Sequence, residues 1–222
     1  RQPQVSDELL SAISKRYSLN KNKIILGNGS SGPTTKWGYQ NYLSLINKLK
    51  KPGKVFFYLL CGSNDSEDAK KIVNFAVNKL GSLDILINCA GVNPRSAPES
   101  FDFEETWDWV MGVNLKGTYL MSYYASNEMK ENGGSIVNLA SINGFVGYNK
   151  GISSKLKGIN PYPHSKGGVI QLTKDMAVGF AELNIRVNAL CPGYSKTNLT
   201  KMLWEDKKVE EYIISLHPMG RL

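Results

Sequence analysis

Ser135-Ile136-Val137-Asn138-Leu139-Ala140-Ser141, Tyr162-Pro163-His164-Ser165-Lys166 and Arg186-Val187-Asn188-Ala189-Leu190-Cys191-Pro192-Gly193 are pieces of one stretch, residues 135–197, whose reading decides the fold. The first piece is an apolar strand that ends in a hydroxyl. The second opens a helix and sets a phenol and an ammonium four residues apart, hence on one helix face. The third is another apolar strand, which breaks into Pro-Gly and runs on to Tyr194 and Thr197. Alternation of strand and helix predicts an α/β domain with a parallel sheet.

The chemistry of this stretch can be argued from side chains alone. Tyrosine titrates near 10, too high for a group that must exchange a proton close to neutral pH. Bringing it down there takes about 4 kcal/mol of preference for the phenolate. A nearby ammonium in a partly desolvated cleft supplies that, and Lys166 is placed to do so. Ser141, at the end of the neighbouring strand, is placed to hold a carbonyl oxygen while Tyr162 protonates it. Such a set suits hydride transfer to and from a carbonyl, because charge develops on an oxygen that faces prepared donors.

Two motifs upstream extend the pattern. Leu83-Asp84-Ile85-Leu86-Ile87-Asn88-Cys89-Ala90-Gly91 is an apolar strand ending in Asn-x-Ala-Gly, and Val113-Asn114-Leu115-Lys116-Gly117 follows it. With Ser141, Tyr-x-x-x-Lys and Pro-Gly-x-x-x-Thr, in this order, they resemble the short-chain dehydrogenase/reductase family over residues 54–222. The resemblance implies NAD or NADP as cofactor and an alcohol or ketone as substrate. Tyr162 would be the general acid/base, and Lys166 would lower its pKa and bind the nicotinamide ribose. Ser141 would orient the substrate, and Asn114 would hold a helix open and anchor a proton-relay water. Asn88, Ala90 and Gly91 would pass beneath the adenosine ribose. Pro192, Gly193, Tyr194 and Thr197 would contact the nicotinamide and its phosphate side, with a helix N-cap as a second role for Thr197.

Nearer the N-terminus, Ser6 to Tyr17 reads as a capped helix. Lys23-Ile24-Ile25-Leu26 reads as a short strand entering Gly27-Asn28-Gly29-Ser30-Ser31-Gly32. Gly27, Gly29 and Gly32 form a G-x-G-x-x-G that lets main-chain amides approach a pyrophosphate. It differs from the family's Thr-Gly-x-x-x-Gly-x-Gly, so residues 1–53 are atypical. About twenty residues separate Gly32 from the next strand at Lys54, room for one helix near Tyr39 to Lys50 and no strand. A Rossmann half needs two strands after its glycine loop, so one strand-helix unit is missing. At the end of the strand Val55 to Leu60, Gly62 stands where the family has an adenine-contacting aspartate. Adenine recognition is thereby weakened or shifted to Ser63 or Asp65.

Farther on, Ser66 to Leu80 has Ile72, Phe75, Ala76 and Leu80 on one stripe and Gly81 as C-cap. A nearly all-apolar helix spans Asn114 to Met129. In the family this helix and the one beginning near Tyr162 pack against a symmetry mate, which implies a homodimer or homotetramer. Between Ser141 and Tyr162, residues 148–158 form a surplus lysine- and glycine-rich surface loop. Asn198 to Leu216 resembles a mobile substrate lid.

The 222 residues, 41% of them hydrophobic, suffice to bury a core as one domain, residues 1–222. No apolar run approaches the ~20 residues of a membrane span, and Arg1 to Ser6 lacks a signal-peptide core, so the expected compartment is the cytoplasm. Cys61, Cys89 and Cys191 read as small buried hydrophobes in a reducing compartment. Two histidines, His164 and His217, give no metal-ligand spacing. The net charge of +8 lies wholly in residues 1–60, with ten Lys/Arg against two Asp/Glu. A solvated basic surface is the expectation there, ahead of a nucleic-acid partner.

These readings add up to an α/β, doubly wound, mostly parallel, Rossmann-like sheet lacking strands at both ends. The expected function is NAD(P)-dependent oxidation of a secondary alcohol or reduction of a ketone. The alternative is a catalytically impaired family member that acts as a binding or scaffold protein.

Overall fold

The computed structural model describes residues 23–27, 56–60, 65–147 and 159–221. Among these residues five strands make one sheet: β1 (Lys23–Gly27), β2 (Phe56–Leu60), β3 (Ile85–Asn88), β4 (Gly134–Leu139) and β5 (Ile185–Leu190). Their order is β2-β1-β3-β4-β5, and every neighbouring pair is parallel. The fold is therefore of the α/β, Rossmann-like class expected from the sequence. The direction of winding reverses between β1 and β3, and open α/β sheets bind ligands outside the carboxyl ends of the strands at such a point. A dinucleotide sheet ordered 3-2-1-4-5-6 has a strand between its first and third. Here β2 pairs directly with β1, and among the described residues no strand follows β5.

Helices α1 (Ser66–Leu80), α2 (Phe103–Met111), α3 (Gly117–Met129) and α4 (Pro161–Gly179) connect these strands, and α5 (Lys201–Glu205) and α6 (Lys207–Ser215) follow β5. Local chemistry sets their ends. Asp65 caps α1 by accepting from the N–H groups of Glu67 and Asp68, and Gly81 ends it at φ 79°, a conformation open to glycine without strain. Asp102 and Glu105 form a reciprocal capping box at α2. Asn160 accepts from Tyr162 N–H to start α4, with Pro161, which has no N–H to leave unpaired, in the first turn.

Alternating strand residues face the helices. Leu86, Ile136 and Val187 lie side by side and pack with Ala69, Val73 and Ala76 of α1, Leu120, Met121, Ala125 and Met129 of α3, and Met176 of α4. Expectation and structure part in two places. The core stripe of α1 runs through Ala69, Ile72, Val73 and Ala76, while Phe75 is 49% exposed, because at 100° per residue it falls on the flank of that stripe. The helix expected from Asn114 is continuous with α2 through a π-helical turn, Gly112–Lys116.

The predicted helices at 6–17 and 39–50, Gly29, Gly32, Gly62, Ser63, Cys61 and the loop 148–158 lie outside the described residues. Among the described residues no helix is long and apolar enough to cross a membrane.

Candidate active site

The carboxyl ends of β1, β3 and β4 bring Gly27, Asn88 and Asn138 into one row. Asn88 and Asn138 occupy core-facing positions, and polar side chains there need partners. Asn88 Nδ2 donates to Ser122 Oγ on α3 and to Asn138 Oδ1, both at 2.9 Å, and Asn138 Nδ2 donates to Thr173 Oγ1 on α4 at 3.0 Å. The chain of amides ties both helices to the sheet. The Asn88 side chain is thus committed inward, which leaves its main chain for any cofactor contact. Asp65 is likewise committed to capping α1.

The π turn holds Asn114, which is fully buried. An extra residue in the turn widens the helix and aims the side chain at the strand end. Its Oδ1 accepts from Val92 N–H at 2.8 Å, and its Nδ2 donates to Val92 O and to Ser165 Oγ, each at 3.0 Å. Ser165 Oγ in turn donates to Tyr162 O at 2.8 Å. Asn114 therefore couples the segment after β3 to the first turn of α4, where Tyr162 and Lys166 stand.

Lys166 is 4% exposed and donates to Leu139 O at 2.6 Å. Burial lowers its pKa from the ordinary 10.5 to about 8, opposed by the nearby Cys89 and Cys191 side chains. Its Nζ lies 5.8 Å from the centroid of the half-buried Tyr162 ring. A Cβ added to Gly91 would meet Nζ at 3.5 Å and Asn114 Oδ1 at 3.7 Å, so the Asn-x-Ala-Gly turn lies directly against both groups. Lys166, Gly91 and Asn114 thus meet at one point on the strand ends. A buried ammonium with three donors, one held by Leu139 O, beside a glycine floor fits a polyhydroxylated ring such as a nicotinamide ribose.

Ser141 is 6% exposed and follows β4, where its oxygen accepts from Asn143 N–H at 3.2 Å and caps a short 3-10 turn, Ile142–Gly144. That turn sits so close to α4 that a Cβ on Gly144 would come within 2.7 Å of Ile170 Cδ1 and 2.8 Å of Lys166 C. Ile142 N–H donates to Pro192 O, which links the serine turn to the Pro-Gly break after β5. A narrow cleft of about 50 Å³ opens between these segments, and Ser141, Tyr162, Gly193 and Tyr194 line it together with Arg95 and Thr200.

Beyond Gly193 the chain returns over the cleft as α5 and α6. Leu203 and Ile213 are buried in a small cluster of their own, with Tyr194, Trp204, Val209 and Tyr212 packed around them. Thr200 is the polar hub: its hydroxyl accepts from Thr197 N–H and Trp204 Nε1 and donates to Ser195 O. Thr197 itself is exposed, and Thr200 stands at the N-cap position of α5 without a side-chain capping hydrogen bond.

Of the residues singled out in the sequence, Asn114, Ser141, Tyr162, Lys166, Gly91, Gly193 and Tyr194 come together, with Ala90 and Pro192 on the flanking turns. Gly27 ends β1 in the same row as Asn88. Sequence reasoning missed Asn138, Ser122, Thr173 and Ser165, although a polar residue alternating with buried Ile136 is itself a signal. It also missed Asn93, Arg95 and Thr200. Cys89, expected to be buried, is exposed, and Cys191 is half-buried.

Comparison with known proteins agrees with this geometry. Residues 35–208 match the family model for short chain dehydrogenases. The chain is 38% identical over 184 residues to dehydrogenase/reductase SDR family member 4 of Oryctolagus cuniculus, covering 82% of this chain and 68% of that protein. It is 39% identical over 184 residues to the 3-oxoacyl-acyl-carrier-protein reductase FabG of Thermotoga maritima, covering 82% of this chain and 70% of that one. The chain spans only 53% of the Sus scrofa counterpart of the first protein. Among solved structures, ElxO with NADP bound superposes with a TM-score of 0.67 at 28% identity, covering 91% of this chain and 86% of ElxO.

Proposed function

The chain belongs to the short-chain dehydrogenase/reductase family, and from that premise we propose that it is an NAD(P)-dependent oxidoreductase interconverting a secondary alcohol and a ketone. The observation that supports this reading most is the meeting of Ser141 and Tyr162 in one cleft, with the buried Lys166 ammonium 5.8 Å from the phenol ring centroid.

A bound nicotinamide supplies or accepts the hydride at its C4. The chain's own groups handle the proton and the oxygen. Tyr162 donates its phenolic proton to the carbonyl oxygen in reduction and takes it back in oxidation. With its pKa near 8, Lys166 is mostly charged at neutral pH, and that charge stabilises the phenolate left on Tyr162. Ser141 accepts from Asn143 N–H and keeps its own proton to donate to the substrate oxygen. Asn114 is a positioning residue that fixes Val92, Ser165 and, through them, the first turn of α4. Gly27, the Asn88 main chain, Ala90 and Gly91 would run under the cofactor's adenosine half, and Pro192, Gly193, Tyr194 and Thr197 would flank its nicotinamide half.

Two further readings accompany this one. A groove lined by Met111, Leu115, Tyr119 and Leu172, with Asp108 and Lys116 also on its walls, lies where α2, α3 and α4 meet, and the half-exposed Tyr119 and Tyr123 stack beside it. It suits contact with a second copy of the chain, as a homodimer or as half of a homotetramer. Cys89 and Cys191, which form no disulfide with each other, suit the cytoplasm.

Titration with NADH and NADPH, followed by nicotinamide fluorescence on wild type and Lys166→Ala, tests the proposal. Saturable binding of one nucleotide, weakened at least tenfold in the variant, is the expected outcome. Absence of binding for both at millimolar concentration would move the reading to a binding or scaffold role.

A further inference from the structure

Among the described residues that line the cleft, Arg95 is the one charged side chain, and none is Asp or Glu. Arg95 is held to the catalytic floor by an unbroken series of contacts. Asn114 grips Val92 through both its N–H and its carbonyl. The next residue, Asn93, is 6% exposed, and its Oδ1 accepts from Arg95 N–H at 3.1 Å. Pro94 sets the first turn of the 3-10 helix Pro94–Ser96, in which Arg95 is the middle residue. The Arg95 backbone is thus fixed relative to Asn114, Ser141 and Tyr162, and its side chain is half-buried.

A guanidinium is charged at every working pH and offers a planar fork that matches a carboxylate. In a narrow cleft away from bulk solvent, such a pair is stronger than at an open surface. Resting on the reading of Ser141 and Tyr162 above, we propose that Arg95 recognises a carboxylate on the substrate, so that the preferred substrates are hydroxy acids and their oxo acids. The reacting oxygen would lie between Ser141 and Tyr162, and the carboxylate would reach across the cleft to Arg95. Thr200 and Tyr194, on the lid side, close over the remainder.

The test is calorimetric binding to protein saturated with NADPH or NADH, using straight-chain 2-oxo and 3-oxo acids of three to six carbons and the carboxamides of the same skeletons. Wild type, Arg95→Gln, Arg95→Lys and Tyr162→Phe are compared. The expected result is that at least one acid binds wild type and Tyr162→Phe about tenfold or more tighter than its amide. Arg95→Gln abolishes this preference while its amide affinity stays within about threefold, and Arg95→Lys keeps part of it. Equal affinity for acid and amide in wild type, no measurable binding of any acid, or a preference that survives Arg95→Gln would overturn the assignment. Acid preference in a protein that reduces none of these compounds would break the oxidoreductase reading and leave the Arg95 site standing.

Discussion

The floor around Asn114 is tied to its neighbours by hydrogen bonds between buried groups, whereas the lid packs mainly around two buried side chains of its own. Asn114 alone bonds Val92 twice and Ser165 once, and Lys166 is pinned to Leu139 O. In the lid, Leu203 and Ile213 form a separate small cluster, and the Lys196–Glu210 ion pair that ties α6 to the chain before the lid lies at the surface. Buried polar ties cost much to break, because the partners left behind are away from water. Surface ion pairs and satellite clusters cost little. On the proposed reading, the groups assigned to catalysis are therefore set before anything binds, and the lid is the part expected to open and close.

The largest expected effect is on the floor's chemistry. Tyr162→Phe removes the proton donor and should lower kcat about a thousandfold, with nucleotide affinity changed less than about threefold. Retention of a tenth of the wild-type rate in a steady-state assay would break the assignment of Tyr162. Asn114→Ala leaves Val92 N–H and C=O unpaired and should destabilise the protein by about 3 kcal/mol in urea unfolding, with kcat reduced as well. Unchanged stability would mean that the floor is not held as described.

Lys166 permits a test by pH. Its folded pKa of about 8 lies below the unfolded 10.5, so the unfolded chain binds more protons between those values. The burial penalty, about 3 kcal/mol, is complete below pH 8 and is relieved as pH rises from there toward 10.5. Lys166→Met should accordingly gain stability relative to wild type at pH 7, and that advantage should shrink by pH 10. Thermal melts of the two proteins at both pH values give the comparison, and a constant difference would contradict it. The smallest effect belongs to the lid: Thr200→Val should cost about 1 kcal/mol or less and raise KM a few-fold at unchanged kcat. A large fall in kcat would make the lid part of the floor.

Much of the floor was legible in the sequence because its chemistry is local. The four-residue spacing of Tyr162 and Lys166, the Asn-x-Ala-Gly strand end and the Pro-Gly break each declare themselves within a few residues. The parallel sheet was legible from alternation of strand and helix, and the shortfall between Gly32 and Lys54 agrees with the direct pairing of β1 and β2. The less legible features depend on long-range pairing. Asn88 reads as a cofactor contact, and only Ser122 and Asn138, 34 and 50 residues away, show that its amide turns inward and leaves the main chain for that role. Phe75 reads as core until the actual phase of α1 against α3 is known. Arg95 looks like any loop arginine until residues 141 and 162 are brought beside it. Cys89 follows a buried apolar run, yet its position just past the strand end exposes it.

The π turn at Gly112–Lys116 also limits which changes in chain length the molecule tolerates. A π turn is a helix carrying one residue too many, so deleting one residue there would let α2 and α3 join as an uninterrupted α-helix. A wide turn absorbs its extra residue, however, so α2 and α3 already stand in nearly the phase of an unbroken helix, and the deletion would act mainly inside the turn. Val110 on one side and Leu120, Met121 and Ala125 on the other could keep their present neighbours, while Asn114 would swing away from Val92. The surplus residue thus aims one side chain without rephasing the two halves of one long rod. Shortening this segment by one residue should therefore spare the packing of the helices and cost the tie to Val92.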